Sequence, residues 1–165
     1  MKERMINGYS VRKSYLPNIT DSVSDTKRKF KQLFEHYQDT ETSPYLETYE
    51  NFSKKYQREN NYFYLIQADG SAVGFVRIVL SEAPALVARV APICILPANE
   101  NHGIGKMAIQ LVEAKFSSIK TWQLSTILQE TRLLSFYQTL GYQLSDRTSP
   151  IVTGMDRVFL TKHIH

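Results

Sequence analysis

The chain has 165 residues, 42% hydrophobic and 22% charged, as expected of a globular protein with one hydrophobic core. The excess of 20 Lys and Arg over 16 Asp and Glu is too small and too scattered to predict a nucleic-acid-binding surface. Cys94 is the single cysteine, so an internal disulfide is excluded, and no apolar run approaches the roughly 18 residues of a membrane span. We therefore expect one domain over residues 1–165 in a reducing cytoplasm, without a membrane or nucleic-acid partner.

The first part of the chain predicts one strand and two helices. Residues 9–13 alternate between polar and apolar side chains, and residues 21–38 carry apolar side chains at helical spacing. A second helix is indicated by Ser43 as N-cap with Pro44 at the first helical position. The apolar stripe of this second helix consists of Tyr45, Tyr49, Phe52 and Tyr56.

The rest of the chain predicts six strands and two further helices. Strands over 62–67 and 73–80 are joined through Asp69-Gly70, a strong hairpin signal. The elements that follow are a strand over 86–96, a helix over 106–116, a strand over 122–126, a helix over 133–140, and strands over 142–144 and 157–162. This order, β-α-α-β-β-β-α-β-α-β-β, predicts an α+β fold in which helices pack against a mixed sheet.

The loop before the third helix carries the clearest functional signal. It reads Pro97-Ala98-Asn99-Glu100-Asn101-His102-Gly103-Ile104-Gly105-Lys106. A strand, a short glycine loop and a helix present free backbone N–H groups to a diphosphate, and the helix dipole favours the anion. Gly103 and Gly105 lack a Cβ atom, so a phosphate can approach the main chain closely.

Three kinds of phosphate-binding loop can be compared with this segment. A P-loop needs a glycine six residues before Lys106 and a Ser or Thr after it, and both are missing. The dinucleotide pattern G-x-G-x-x-A matches from Gly103 to Ala108, but the large parallel sheet and the later acidic residue of that fold are absent. The third pattern is Gln/Arg-x-x-Gly-x-Gly/Ala, which falls on Glu100 to Gly105 with Glu at the first position.

This third pattern resembles the acyl-CoA loop of the GNAT superfamily of N-acetyltransferases. A second element, Phe136-Tyr137-Gln138-Thr139-Leu140-Gly141-Tyr142, is similar to the C-terminal F-Y-x-x-x-G-F/Y element of the same family. The resemblance covers roughly residues 60–162. It implies a mostly antiparallel central sheet flanked by helices, acetyl-CoA as acyl donor, no metal, and two splayed central strands with the pantetheine arm between them.

Carried over to this chain, the splayed strands are the one ending at Leu96 and the one over 122–126. Backbone groups of Cys94, Ile95 and Leu96 would meet the pantetheine. The residues that the resemblance places at the diphosphate are Asn101, His102, Gly103, Ile104, Gly105 and Lys106. Pro92 cannot donate a hydrogen bond to a ladder, which favours a bulge in the first of these strands.

The resemblance also implies that Tyr137 is the general acid that protonates the departing sulfur. Packing beside Leu133 and Leu140 is the alternative role for this side chain. Cys94 could in principle form an acyl-enzyme, but the sequence offers no adjacent base, and an inert buried cysteine is the favoured interpretation. No general base is identified; Glu82, Glu47 and Glu50 are candidates, and a water chain could serve instead.

In the resembled family the region of the first two helices forms one wall of the acceptor site. Here that region carries Tyr45, Glu47, Tyr49 and Glu50. Carboxylates and tyrosine faces favour a cationic amine, and Glu47 and Glu50 are spaced to share one helix face. Acids that merely suit a helix start and face water are the alternative.

The sequence therefore predicts an N-acetyltransferase that moves an acetyl group from acetyl-CoA to a primary amine of a small molecule. We expect direct transfer in a ternary complex. A protein or peptide N-acetyltransferase and a non-catalytic acyl-CoA-binding regulatory module are the alternatives. The identity of the acceptor and the oligomeric state are left open, with a homodimer as one option.

Overall fold

The computed structural model describes residues 5–13, 19–82 and 86–165. One eight-stranded sheet has the order β1-β2-β3-β4-β5-β6-β8-β7. Neighbouring strands are antiparallel except β5 and β6, which are parallel. The strands are β1 (Met5–Ile6), β2 (Tyr9–Lys13), β3 (Asn61–Ala68), β4 (Ser71–Leu80), β5 (Val87–Ile95), β6 (Thr121–Ile127), β7 (Gln143–Val152) and β8 (Met155–His163). The predicted mixed, mostly antiparallel α+β fold is confirmed.

The described residues also form four α-helices, which cover the two faces of this sheet. They are α1 (Ile19–Tyr37), α2 (Tyr49–Tyr56), α3 (Ile104–Lys115) and α4 (Thr131–Thr139). Helices α1 and α2 pack on one face, where Val23 and Phe52 meet Phe63, Phe75 and Cys94. Helices α3 and α4 pack on the other face around the fully buried Trp122. The predicted element order is confirmed, with β1 as an addition that the pattern did not indicate.

The predicted start of the second helix at Pro44 is wrong. Ser43 does act as a cap, because its Oγ accepts the Tyr45 N–H at 3.3 Å, but the turn that follows is a 3₁₀ turn over Pro44–Leu46. The chain becomes extended at Glu47, with ψ of 133°. Thr48 then caps α2 by accepting the Asn51 N–H at 3.1 Å. Two caps compete within six residues, and the later one starts the α-helix.

The predicted hairpin between β3 and β4 is confirmed. Asp69 and Gly70 have φ of 48° and 83°, the two positive values that a type I′ turn requires. The last but one strand was predicted over 142–144, but in the structure it continues to Val152 as β7. Strand β7 lies at the edge of the sheet, and its register with β8 shifts between Pro150 and Val152; edge strands and bulges are the places in a sheet where proline is tolerated.

Strands β5 and β6 separate soon after they begin. Their pairing covers only Val87 with Thr121, Ala88 with Trp122, and Arg89 with Gln123. Beyond these pairs the strands leave an open gap, so the predicted splay is confirmed. On the other edge of β5, Ala91 and Pro92 form a bulge opposite Arg77, because the register passes from Val90–Ile78 directly to Ile93–Val76. The bulge predicted from Pro92 is therefore also confirmed.

The backbone direction at the end of β5 follows from two contacts with β4. The Leu96 N–H donates to the Val73 carbonyl at 2.9 Å. The Cys94 carbonyl also faces β4, since a Cβ atom added to Gly74 would lie 2.1 Å from its oxygen. In a trans peptide the C=O and N–H point in opposite directions. Both the N–H and the C=O of Ile95 therefore point into the gap.

We expect Gly74→Ala to destabilise the protein by about 2–3 kcal/mol, the upper part of the range for overpacked sites. The added methyl group would overlap the Cys94 backbone oxygen, which can move only if β5 shifts. Thermal or urea unfolding measures the effect, and Ser71→Ala, at an exposed position in the same strand, is the control. Equal stability of the two variants would contradict this prediction, because it would show that β5 can shift away from the added methyl group without a loss of folding free energy.

Candidate functional site

The gap between β5 and β6 opens into a cleft of about 1450 Å³. Both faces of the sheet contribute to its walls. One side is formed by α1 and the segment over 39–47, and the other by the loop before α3 and the start of α4. The cleft therefore runs from the N-terminus of α3 to the closed end of the gap at Arg89.

The predicted diphosphate loop lies at the open end of the gap. Gly103 is the N-cap of α3 in the left-handed region, with φ of 75°, and Asn101 also has a positive φ of 62°. The first helical hydrogen bond runs from the Met107 N–H to the Gly103 carbonyl at 3.2 Å. The N–H groups of Ile104, Gly105 and Lys106 thus have no intrahelical acceptor, and no side chain caps them. This geometry suits an anion.

The glutamate that departs from the family pattern is held away from the loop's N–H groups. Glu100 pairs with Lys29 of α1, 71 positions earlier in the chain. The carboxylate is thereby neutralised. Arg132 of α4 reaches the Asn101 side-chain oxygen at 3.3 Å, and His102 Nδ1 lies 3.3 Å from the Asn99 carbonyl. The negative charge of Glu100, beside a loop suited to a diphosphate, is therefore offset by a partner from another element.

Tyr137 lies on α4 and lines the cleft with 9% of its surface exposed. Its ring packs edge-on against Phe136 and Tyr142, at centroid distances of 5.0 and 6.0 Å. Within the described ranges its hydroxyl makes no hydrogen bond. Burial raises the pKa of Tyr137 to about 12, so the phenol keeps its proton at neutral pH. The cleft wall therefore contains a protonated phenol.

Helix α4 and the glycine loop are in direct contact, which positions Tyr137 relative to that loop. A Cβ atom on Gly105 would lie 3.2 Å from Phe136 Cζ and 3.9 Å from a side-chain carbon of Ile95. Gly105 is thus the point where α3, α4 and the end of β5 approach one another. A side chain there would fill the space beside the free N–H groups.

Cys94 is fully buried on the face of the sheet that α1 and α2 cover. Burial, and next the nearby Asp25 carboxylate, raise the pKa of its thiol to about 12. A thiol in this environment is not nucleophilic at neutral pH, in agreement with the interpretation of Cys94 as inert.

The structure does not bring the predicted acceptor residues together. The four residues predicted for the acceptor wall and Glu82, predicted as an acceptor-site or base residue, lie apart, and of these five only Glu47 lines the cleft, where it pairs with Lys55. Tyr45 instead stacks on Phe34 at a centroid distance of 4.7 Å, and Tyr49 is 55% exposed. Glu50 pairs with Lys54 in solvent at 2.7 Å, and Glu82 is exposed beyond β4. The predicted common helix face of Glu47 and Glu50 is wrong, because the chain is extended between them.

Asp39, another acid of this region, is buried and already bound. Its carboxylate accepts the N–H groups of Glu41 and Thr42 at 3.0 and 2.9 Å. Burial opposes ionisation of Asp39, but the hydrogen bonds from Thr42 and Glu41 outweigh it and, with nearby Arg157, lower the pKa of that carboxyl. This carboxylate stabilises the segment after α1 and has little capacity left for a ligand.

Five arginines line the cleft, and none of them was predicted from the sequence. Arg28 lies 4.0 Å from the Asp25 carboxylate and Arg132 donates to Asn101. The other three are Arg77, Arg89 and Arg157. Arg77 is only 9% exposed and faces α2 from the middle of β4. A charged residue inside the otherwise apolar run over 73–80 was the signal that could have identified it.

Two further properties concern the described residues as a whole. In the ranges given above, no group of three or more His, Cys, Asp or Glu side chains could hold a metal ion. No helix in that part of the chain is both long and apolar enough to cross a membrane.

Comparison with known proteins places this architecture in a family. The sequence model of the acetyltransferase (GNAT) family matches residues 30–142. No curated protein sequence is significantly similar to the chain. Among solved structures, the chain is similar to RimL, a ribosomal L7/L12 alpha-N-protein acetyltransferase in complex with coenzyme A, with 12% identity and a TM-score of 0.76. The match covers 98% of this chain and 97% of that one.

Two further solved structures have the same fold. The PaiA N-acetyltransferase of Thermoplasma acidophilum, in complex with coenzyme A, is 17% identical with a TM-score of 0.73, over 94% of this chain and 99% of that one. A spermidine N-acetyltransferase SpeG chimera from Vibrio cholerae and hSSAT is 10% identical with a TM-score of 0.72, over 95% and 96%. The family match and the splayed sheet lead to one conclusion: the chain belongs to the GNAT family of acyl-CoA-dependent acetyltransferases.

Proposed function

We propose that the protein transfers the acetyl group of acetyl-CoA to a primary amine of a small molecule, directly and within a ternary complex. The observation that carries this proposal is the gap between β5 and β6. It has the free N–H groups of α3 at its open end, the Ile95 backbone along its side, and the Tyr137 hydroxyl in its wall.

The residues present fit acetyl-CoA. The N–H groups of Ile104, Gly105 and Lys106 would bind the diphosphate, with Asn101, His102 and Gly103 shaping the loop around it. The N–H and C=O of Ile95 would pair with an amide of the pantetheine arm, as a neighbouring strand would. Cys94 directs its carbonyl to β4, whereas Leu96 donates its N–H to β4 and accepts the Asn99 N–H at 2.8 Å, so Ile95 is the residue of these three whose backbone groups would meet the pantetheine.

The thioester supplies an activated acetyl group. The amine nitrogen attacks the carbonyl carbon, a C–N bond forms, and the C–S bond breaks. Tyr137 would donate its proton to the departing sulfur, and the proton lost by the amine would pass to a base or to water. Glu47 is the base candidate that lines the cleft, and its carboxylate is already paired with Lys55.

A small acceptor is favoured by a contact between the two faces of the sheet. The Tyr37 hydroxyl donates to the Glu130 carboxylate at 2.7 Å, joining the end of α1 to the residue before α4. Burial, and next the bond to Glu130, raise the pKa of Tyr37 to about 12, so this donor keeps its proton at neutral pH. The bridge joins α1 and the start of α4, which form opposite sides of the cleft, and this restraint on their separation favours a small acceptor over an extended polypeptide.

The test is release of coenzyme A from acetyl-CoA in the presence of small primary amines and of short peptides with free N-termini or lysines. We expect at least one small amine to show the highest kcat/KM. A peptide as best acceptor would favour the protein acetyltransferase. Tight acetyl-CoA binding without turnover of any amine would favour the non-catalytic module. Failure to bind acetyl-CoA would contradict the proposal.

A further inference from the structure

We propose that the acceptor carries a carboxylate next to its reactive amine, and that Arg77 and Arg89 bind this carboxylate at the closed end of the gap. The inference rests on the proposed function, because it names the class of substrate for the same cleft. It replaces the predicted cationic acceptor with an amino acid or a similar amino carboxylate.

Arg77 is a buried cation whose hydrogen-bond partners are all neutral. Its Nε and Nη2 donate to the Asn61 side-chain oxygen at 2.7 and 2.5 Å, and its Nη1 donates to the Ala91 carbonyl at 3.2 Å. A guanidinium has five N–H donors, so two remain. A buried charge without an anionic partner is costly. A carboxylate bound from the cleft would supply that partner.

The neighbouring charges reinforce the positive character of this region. Burial, and next the charges of Arg89 and Arg58, lower the pKa of Arg77 to about 10 against the smaller opposing effect of Glu47, so Arg77 remains a cation at neutral pH. Arg89 and Arg157 also line the cleft, and in the described ranges Arg77, Arg89 and Arg157 form no salt bridge, whereas the cleft residue Arg28 pairs with Asp25.

The nearby acids offset these arginines only in part, because each acid also has another partner, although Arg157 lowers the pKa of Asp39 and Glu47 opposes the lowering of the Arg77 pKa. Asp39 is bound by backbone N–H groups, Glu47 by Lys55, and Glu130 by Tyr37. The arginines therefore face the cleft as an anion-binding group, while the acids that would attract a cationic acceptor have partners of their own.

The position of Arg77 fits a substrate that reacts inside the gap. Its guanidinium holds Ala91, two residues beyond the last β5–β6 pair. The diphosphate loop begins at Pro97, six residues further along the chain, which is at most roughly 20 Å at about 3.3 Å per residue. A donor that enters from that loop and runs along β5 would bring its acyl end towards Ala91. A guanidinium with two free donors matches the two oxygens of a carboxylate.

The first test compares an amino acid with its amide and its decarboxylated amine, all with the same side chain. We expect kcat/KM for the amino acid to fall about 3–10-fold in Arg89→Gln, an exposed site, and about 10–100-fold in Arg77→Gln. Values for the amide and amine should change less than twofold in Arg89→Gln. Arg12→Gln, on the exposed part of β2 outside the cleft, is the matched control and should resemble the wild type.

The second test removes two complications, namely different amine pKa values among the substrates and distortion of the β5 bulge in Arg77→Gln. Calorimetry of the protein–coenzyme A complex measures binding of the N-acetyl amino acid and of its N-acetyl amide. We expect the carboxylate form to bind at least tenfold more tightly, and this preference to shrink in Arg89→Gln but not in Arg12→Gln.

The outcomes separate the two proposals. Acetylation of amines with no advantage for the carboxylate in either test would overturn this inference and leave the proposed function intact. Equal binding of the two acetylated products, or binding of neither, would also overturn it. If the wild-type protein does not bind acetyl-CoA, that result would instead count against the proposed function itself. If Arg77 has only a structural role, Arg77→Gln should be less stable than the wild type. The preference for the carboxylate over the amide should then be unchanged in Arg89→Gln.

Discussion

Replacement of Gly105 by glutamate is expected to weaken acetyl-CoA binding at least 100-fold, or about 2.7 kcal/mol. A Cβ atom at this position already lies 3.2 Å from Phe136 Cζ, so the rest of the side chain must turn towards the cleft. There it would occupy the space beside the free N–H groups of α3 and place a negative charge where the helix dipole favours an anion. Calorimetric titration with acetyl-CoA measures the loss.

Two variants separate charge from position in this experiment. Gln110→Glu adds the same charge to an exposed position on α3 and should bind acetyl-CoA as the wild type does. Gly105→Ala adds only the Cβ atom and should show an intermediate loss, because the neighbouring Phe136 ring must move by a few tenths of an ångström. Undiminished binding by a folded Gly105→Glu protein would place the diphosphate elsewhere.

Removal of the Tyr137 hydroxyl is expected to lower kcat by about 10²–10³, within the range for general acid catalysis. Tyr137→Phe keeps the ring and its edge-on contacts with Phe136 and Tyr142. Stability and acetyl-CoA affinity should change little, because the hydroxyl has no hydrogen-bond partner among the described residues. Single-turnover kinetics, in which the chemical step limits the rate, measure the effect.

Tyr142→Phe is the matched control for this prediction. Tyr142 is also a buried tyrosine at this end of the sheet, but its hydroxyl donates to Glu113 at 3.2 Å and does not line the cleft. Removal of this hydrogen bond should lower the free energy of unfolding by about 0.5–1.5 kcal/mol and leave kcat near the wild-type value. Equal values of kcat in Tyr137→Phe and the wild type would assign Tyr137 to packing alone.

Most of the fold could be predicted because local patterns determine its elements. A type I′ turn requires positive φ at its two central positions, and Asp69 and Gly70 adopt such values readily. The pair is therefore a strong hairpin signal. Pro92 lacks an N–H, and the bulge at Ala91 and Pro92 follows. The start of α2 could not be read in this way, because Ser43 and Thr48 are both competent caps and packing of Phe52 into the core favours the later one.

The sequence by itself also determined the family, the glycine loop and the tyrosine candidate, since each depends on residues adjacent in the chain. Only the tertiary structure decided how the charges are distributed. Lys29 neutralises Glu100 from 71 positions away, and Asn61 and Ala91 orient Arg77 from separate strands. The acids predicted to form one wall of the acceptor site do not lie together in the structure. Glu47 pairs with Lys55, and Glu50 pairs with Lys54 in solvent. The energy of a charge pair depends on the distance between the two groups in space, and this distance cannot be read from their separation in the sequence.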